Sequence, residues 1–298
     1  MKNVIGIVAV AGLAATAMAQ PSGQTELRYE ARVFNGGNNT GWSSVVNANP
    51  GDQIEVRAVV SYIGTAQPVA LGQIVFQPII SNWTSGDAVI TQAGTPGNNG
   101  IGPVGGSVTS PPGYVNDQPG VYGRITPWAA NATTTSTYLR GHTHTINGVN
   151  YLRIARNDVT NWIGVGASSG AGAANNTNGG GGVSIAQGQI GGGRPTNFPP
   201  EVLGTQGLVV FKFGFTLSSN TALRTLTITT PEDGFGRSTA ASSYGGPNTR
   251  WFASTSDGTP GSIFTTPFAV DAVINVVPTP ASMALLGLGG LMVARRRR

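Results

Sequence analysis

Two stretches of this chain alternate so strictly that only one kind of secondary structure accommodates them. Leu27, Tyr29, Ala31 and Val33 take turns with Arg28, Glu30 and Arg32, while Ile54, Val56, Ala58, Val60 and Tyr62 alternate with Gln53, Glu55, Arg57 and Ser61. A period of two sends successive side chains to opposite faces, so each stretch reads as a half-buried antiparallel strand, apolar on one side and charged on the other. Ile74 to Gln77, Tyr151 to Ile154, Leu208 to Leu217, Leu223 to Thr230 and Phe268 to Val277 read the same way. Phe211, Phe213 and Phe215 share one face and are expected in the core. Nothing between Gln20 and Val277 keeps a period of 3.6 over three turns, so helix content is expected to be low.

Many short strands separated by turns predict an all-β fold, an antiparallel β-sandwich of jelly-roll or immunoglobulin-like type. Residues 94–120 and 166–200 are rich in Gly, Asn, Ala and Pro without apolar periodicity and are expected to be long loops. The chain has no cysteine, so its stability must come from a packed core. A body of this length is sufficient to bury one.

The ends carry a different kind of signal. Lys2 precedes the apolar run Val4 to Ala15, and Ala17-Met18-Ala19 follows before Gln20. This is the pattern of a secretory signal peptide, with small residues placed for signal peptidase, so residues 1–19 are expected to be removed as a short signal helix. At the other end, Pro278, Thr279, Pro280, Ala281 and Ser282 lead into the apolar segment Met283 to Ala294, which ends in Arg295, Arg296, Arg297 and Arg298. Twelve residues rise about 18 Å as a helix against a bilayer core of about 30 Å, too little for a durable anchor. The four arginines would hold the terminus in the cytoplasm.

A proline motif, a short hydrophobic helix and a basic terminus together resemble the PEP-CTERM sorting tail of exported Gram-negative proteins. The motif here is Pro278-Thr279-Pro280 in place of the usual Pro-Glu-Pro, and the resemblance covers residues 278–298 alone. It implies an exosortase-type membrane protease as a partner and transient anchorage in the inner membrane. Release to the cell surface or the extracellular matrix would follow, often in company with exopolysaccharide. The body, residues 20–277, is then one sandwich domain with a structural or adhesive role. The alternative is a carbohydrate-binding or cohesin-like recognition module, since Asn49-Pro50-Gly51-Asp52-Gln53-Ile54-Glu55-Val56 is similar to the opening of cohesin-like sandwiches.

The formal charge of +5 would ordinarily suggest a nucleic-acid partner. Lys2 and the four terminal arginines supply five of the 17 basic residues, however, and the remaining 12 balance 12 acidic ones, so no basic footprint for nucleic acid is left in the body.

No catalytic residue is assigned. Gly166-Ala167-Ser168-Ser169-Gly170 has the letters of a nucleophile elbow, but no helical pattern follows, and both histidines lie upstream of the serine. Gly100-Ile101-Gly102-Pro103-Val104-Gly105 spells a dinucleotide fingerprint between prolines rather than between a strand and a helix. Cofactors are not expected either. Asn147-Gly148 is a strong type I′ hairpin signal, pairing Ile146 with Val149, His144 with Tyr151 and His142 with Arg153. His142 and His144 then share a face, but Arg140 and Arg153 beside them oppose a bound metal cation. Tyr138, Arg140, His142, His144, Tyr151 and Arg153 instead form a candidate patch of aromatic faces and hydrogen-bond donors, suited to sugar rings or uronate carboxylates. The five tryptophans, Trp42, Trp83, Trp128, Trp162 and Trp251, are either core or sugar-stacking residues on sequence alone.

Overall fold

A computed structural model describes residues 23–35, 38–66, 68, 70–91, 119–124, 140–155, 183–185, 205–235, 249–252 and 262–277. The signal segment 1–19 and the tail 278–298 lie outside these residues, as do both glycine-motif matches. No helix among the described residues is long and apolar enough to cross a membrane.

The strands are β1 (Gly23–Asn35), β2 (Asn38–Asn39), β3 (Val45–Ala48), β4 (Gln53–Gly64), β5 (Ala70–Phe76), β6 (Ile79–Ser81), β7 (Ala88–Val89) and β8 (Gly123–Arg124). They continue as β9 (Arg140–Ile146), β10 (Val149–Ala155), β11 (Val183–Ile185), β12 (Leu208–Thr216), β13 (Arg224–Thr229), β14 (Thr249–Phe252), β15 (Ser262–Val270) and β16 (Ala272–Val276). The helical turn among the described residues is a 3-10 segment, Glu232–Gly234. The larger sheet runs β11-β5-β14-β15-β1-β4-β12-β7, with β2 beside β1 and β8 beside β12. The smaller sheet runs β3-β16-β13-β6-β10-β9.

The alternation that predicts β1 and β4 also fixes how they pair. Leu27 faces Val60, Tyr29 faces Ala58, Ala31 faces Val56 and Val33 faces Ile54, which brings all the apolar side chains to one side. β12 extends this layer with Phe211 beside Ala58, Phe213 beside Val56 and Phe215 beside Ile54. From the smaller sheet, Ile80, Leu152, Ile154, Leu226, Ile228, Ala272, Ile274 and Val276 meet them in one core. Trp83, just after β6, stands 5.4 Å from Phe215 of the larger sheet, and within the larger sheet Tyr62 stands 5.7 Å from Trp251, both T-shaped. Each such buried side chain contributes on the order of 1.5–3 kcal/mol.

Several polar groups caught in this core are bonded to one another. The Tyr29 hydroxyl shares a 2.5 Å hydrogen bond with Thr230 Oγ1, which donates to the Gln77 carbonyl at 3.1 Å. Burial pushes the Tyr29 phenol far above its ordinary pKa. Trp251 Nε1 donates to Thr25 Oγ1 at 2.9 Å, and Thr25 also bonds the Thr265 hydroxyl. At one end of the sandwich, Asp87 before β7 pairs with Arg224 at the start of β13 and so ties the two sheets together.

Three expectations are corrected. The sheets are mixed rather than purely antiparallel, because β1 runs parallel to β15 and β3 parallel to β16. Phe268 to Val277 is two strands: β15 ends at Val270 in the larger sheet, and after Asp271 the chain continues as β16 in the smaller one. An unbroken alternation carries no mark of a change of sheet. Finally, the region 166–200 is not loop throughout, since Val183–Ile185 forms β11 and pairs with Ile74–Phe76 of β5.

Candidate functional site

The hairpin forms with the predicted register. Asn147 at φ 51° and Gly148 at φ 78° supply the two positive angles of the turn, and Ile146 faces Val149, His144 faces Tyr151 and His142 faces Arg153. Leu152 and Ile154 point into the core, which sends His142, His144, Tyr151 and Arg153 to the outer face of the smaller sheet. Gly141 permits the close seating of β9, because a Cβ there would lie 2.8 Å from Val89 Cγ2 and 2.9 Å from Leu152 Cδ1.

The predicted patch is therefore assembled in part. His142, His144 and Tyr151 are half-buried at the surface. Arg153 is fully buried and is not an exposed sugar ligand, contrary to the sequence reading. Arg140 opens β9 opposite Ala155, and Tyr138 lies outside the described residues. Among the described residues, no three His, Cys, Asp or Glu side chains gather as metal ligands.

Sequence reasoning did not anticipate how far this face continues. Tyr151 faces Ser81 on β6, Ser81 Oγ accepts from the Thr227 amide at 3.1 Å, Thr227 faces Val273, and Val273 faces Val45. His144, Tyr151, Ser81, Thr227, Val273 and Val45 thus make one row across all six strands. A second ladder runs beside it: Thr225 Oγ1 donates to Asn275 Oδ1, and Asn275 Nδ2 to Asn47 Oδ1, both at 3.2 Å. From Ser81 to Val45 and Asn47, the face offers hydroxyls, amides and methyls without formal charge. The alternation in Thr225-Leu226-Thr227-Ile228-Thr229 is the signal that locates it in the sequence.

The outer face of the larger sheet is its electrostatic opposite. Glu26, Arg28, Glu30 and Arg32 of β1 stand beside Glu55 and Arg57 of β4 and Lys212 of β12. Arg28 bridges Glu26 at 2.7 Å and Glu30 at 3.0 Å, Arg57 reaches Glu30 at 2.6 Å, and Arg32 reaches Glu55 at 2.5 Å. Burial opposes ionisation of Glu30, but hydrogen bonds from Arg57 and Arg28 outweigh it and hold its carboxyl below the usual range. Glu55, with no exposed side-chain surface, also accepts from the Gly120 amide at 2.6 Å, which draws residues 119–124 over β12. Tyr122 then lies against Gly214, where a Cβ would approach its ring to 2.5 Å.

Trp42 is set on top of these charges. Its ring centre is 4.4 Å from Arg32 Cζ, 4.5 Å from Arg57 Cζ and 5.9 Å from Lys212 Nζ. Trp83 and Trp251 belong to the core, whereas Trp42 is half-buried at the surface; Trp128 and Trp162 lie outside the described residues.

No protein-family model matches the chain, and no curated protein matches it in sequence. Among solved structures it is similar to the seventh ScaB type I cohesin from Pseudobacteroides cellulosolvens, at 9% identity and TM-score 0.34, over 86% of this chain and 94% of that one. It is also similar to the cohesin of the Coh-OlpA-Doc918 type I cohesin-dockerin complex from Clostridium thermocellum, at 12% identity and TM-score 0.29, over 85% and 99% of the two chains. CaCohA2 from Clostridium acetobutylicum stands at 12% identity and TM-score 0.28, over 87% and 94%.

Proposed function

We propose that this chain is a non-catalytic recognition module, exported to the cell surface or matrix, that binds an extracellular polysaccharide along the outer face of its smaller sheet. The observation that carries this is the uncharged row from Val45 through Val273, Thr227 and Ser81 to Tyr151 and His144, one residue per strand. With strands about 4.8 Å apart, the row is an extended, rigid track of hydroxyl and amide partners. Its hairpin end adds an aromatic face at Tyr151, half-buried beside His144. Recognition of this kind makes the protein an adhesive component of the matrix.

The ends provide the route. Signal peptidase removes residues 1–19, and an exosortase-type membrane protease acts on the tail near Pro278 to Ser282. Isothermal titration of the exported protein with hexagalacturonate tests the binding face. Tyr151→Ala and Thr227→Lys are each expected to weaken binding about ten-fold or more, the first by removing the stacking face and the second by setting a charge in the track. Wild-type protein that fails to bind, or variants that bind equally well, would refute the assignment.

A further inference from the structure

We propose that Trp42 is the centre of a second carbohydrate site, on the side of the sandwich opposite the hairpin, shaped for the flat face of a neutral hexopyranose chain. Arg32, Arg57 and Lys212 all rise from the outward side of β1, β4 and β12. All three cationic groups come within 6 Å of the Trp42 ring, so they support the indole from the sheet side. The residue keeps part of its surface open to solvent.

The support is itself fixed. Arg32 Nε donates to Glu55 at 2.7 Å and Arg57 Nε to Glu30 at 2.7 Å, so neither guanidinium is free to swing out from under the ring. The backbone next to Trp42 is pinned as well, since Ser43 exchanges two hydrogen bonds with Ala31, at 2.8 and 3.0 Å. A large aromatic held in place in advance loses little conformational freedom on binding, which is the main requirement for a stacking platform. Phe34 stands to one side with Arg32 Cζ 5.7 Å from its ring. Glu26, Arg28 and Glu30 offer an accessible run of alternating acceptors and donors on the same strand. Such a run matches adjacent sugar hydroxyls. Three carboxylates nearly balance the four cations of the cluster, so the site is tuned to an uncharged chain rather than to a polyanion.

This site is independent of the track on the smaller sheet. The two lie on outer faces of opposite sheets, so one module can hold two polysaccharide chains at once. A structural role, in which Trp42 only seals the ion pairs from water, makes opposite predictions.

The test uses the exported full-length protein with cellohexaose and laminarihexaose as probes, read by hydroxyl-radical footprinting and titration calorimetry. The expected result is saturable binding of at least one neutral hexasaccharide, with oxidation of Trp42 falling several-fold on binding. Trp42→Ala should lose affinity about ten-fold or more while Trp42→Phe keeps a measurable part of it. Protection read at Trp42 itself separates this site from the hairpin face. Absence of Trp42 protection at millimolar sugar overturns the proposal without reference to any variant. Equal binding by Trp42→Ala overturns it too.

Discussion

The clamp between Asp87 and Arg224 gives the strongest test of how the sandwich is held together. The Asp87 side chain has no exposed surface and that of Arg224 is 12% exposed. Asp87 accepts from the Thr84 amide at 2.8 Å, the Thr84 hydroxyl at 3.0 Å, the Ser218 amide at 2.8 Å and Arg224 Nη1 at 2.6 Å, and also pairs with Arg224 Nη2. Replacing it with alanine strands two backbone donors and leaves a guanidinium without its carboxylate. Removing one partner of a buried pair costs about 3–5 kcal/mol. With a urea m-value of about 2–3 kcal/mol/M, Asp87→Ala should lower the unfolding midpoint by about 1–2.5 M. The double variant Asp87→Ala/Arg224→Met should recover part of the loss, because no unpaired charge remains. Acid offers an independent check. Burial alone would raise the Asp87 pKa, but the hydrogen bonds from Arg224, Thr84 and Ser218 reverse this and leave it lowered. Its contribution is therefore fully present above the ordinary aspartate value of about 3.9 and is lost as pH falls through the lower folded value. Wild-type stability should fall more steeply over that acid range than that of Asp87→Ala. A loss below about 1 kcal/mol, or parallel acid profiles, would refute the reasoning.

Other outcomes follow from single contacts. Tyr29→Phe removes the hydroxyl bonded to Thr230 and should cost about 1 kcal/mol in chemical denaturation. Gly148→Ala places a Cβ at φ 78° and should cost about 1 kcal/mol, with shifted NMR resonances at His144 and Tyr151 showing that the hairpin is affected. Glu55→Ala removes the acceptor shared by Arg32 and the Gly120 amide, and faster amide hydrogen exchange is expected across residues 119–124. Mass spectrometry of exported protein should find an N-terminus at Gln20 and a C-terminus near Pro278 to Ser282. An intact tail ending in Arg298 would defeat the sorting interpretation.

What could be read in advance follows from where the information lies. The register of β9 with β10 was legible because Asn147-Gly148 fixes a two-residue turn, after which every cross-strand neighbour is determined. The inward faces of β1, β4 and β12 were legible because alternation is a local property. The change of sheet at Asp271 was not, since β15 and β16 alternate as one run and only the position of β1 and β13 divides them. β11 is three residues inside a glycine-rich stretch and gains its identity from β5, more than a hundred residues earlier. Arg153 looked like a surface cation because its strand neighbours Leu152 and Ile154 point inward, yet alternation gives a direction and not a depth. Trp42 was one of five equivalent tryptophans until Arg32 and Arg57, from two different strands, were placed beneath it.

The parallel pairing of β1 with β15 also has a mechanical meaning. β1 leaves Gly23 in the same direction that β15 takes, and β16 carries that direction onward until Val277 donates to Ala48, close to the Asn49–Asp52 turn that also receives the end of β1. Gly23 and Val277 are therefore at opposite poles of the sandwich. A pulling force applied between those two points acts along the strands, and the register from Gln24 with Thr266 to Arg28 with Val270 is loaded in shear. Its hydrogen bonds must then fail together instead of opening one after another like a zip, which is the geometry of a body that resists being drawn apart end to end.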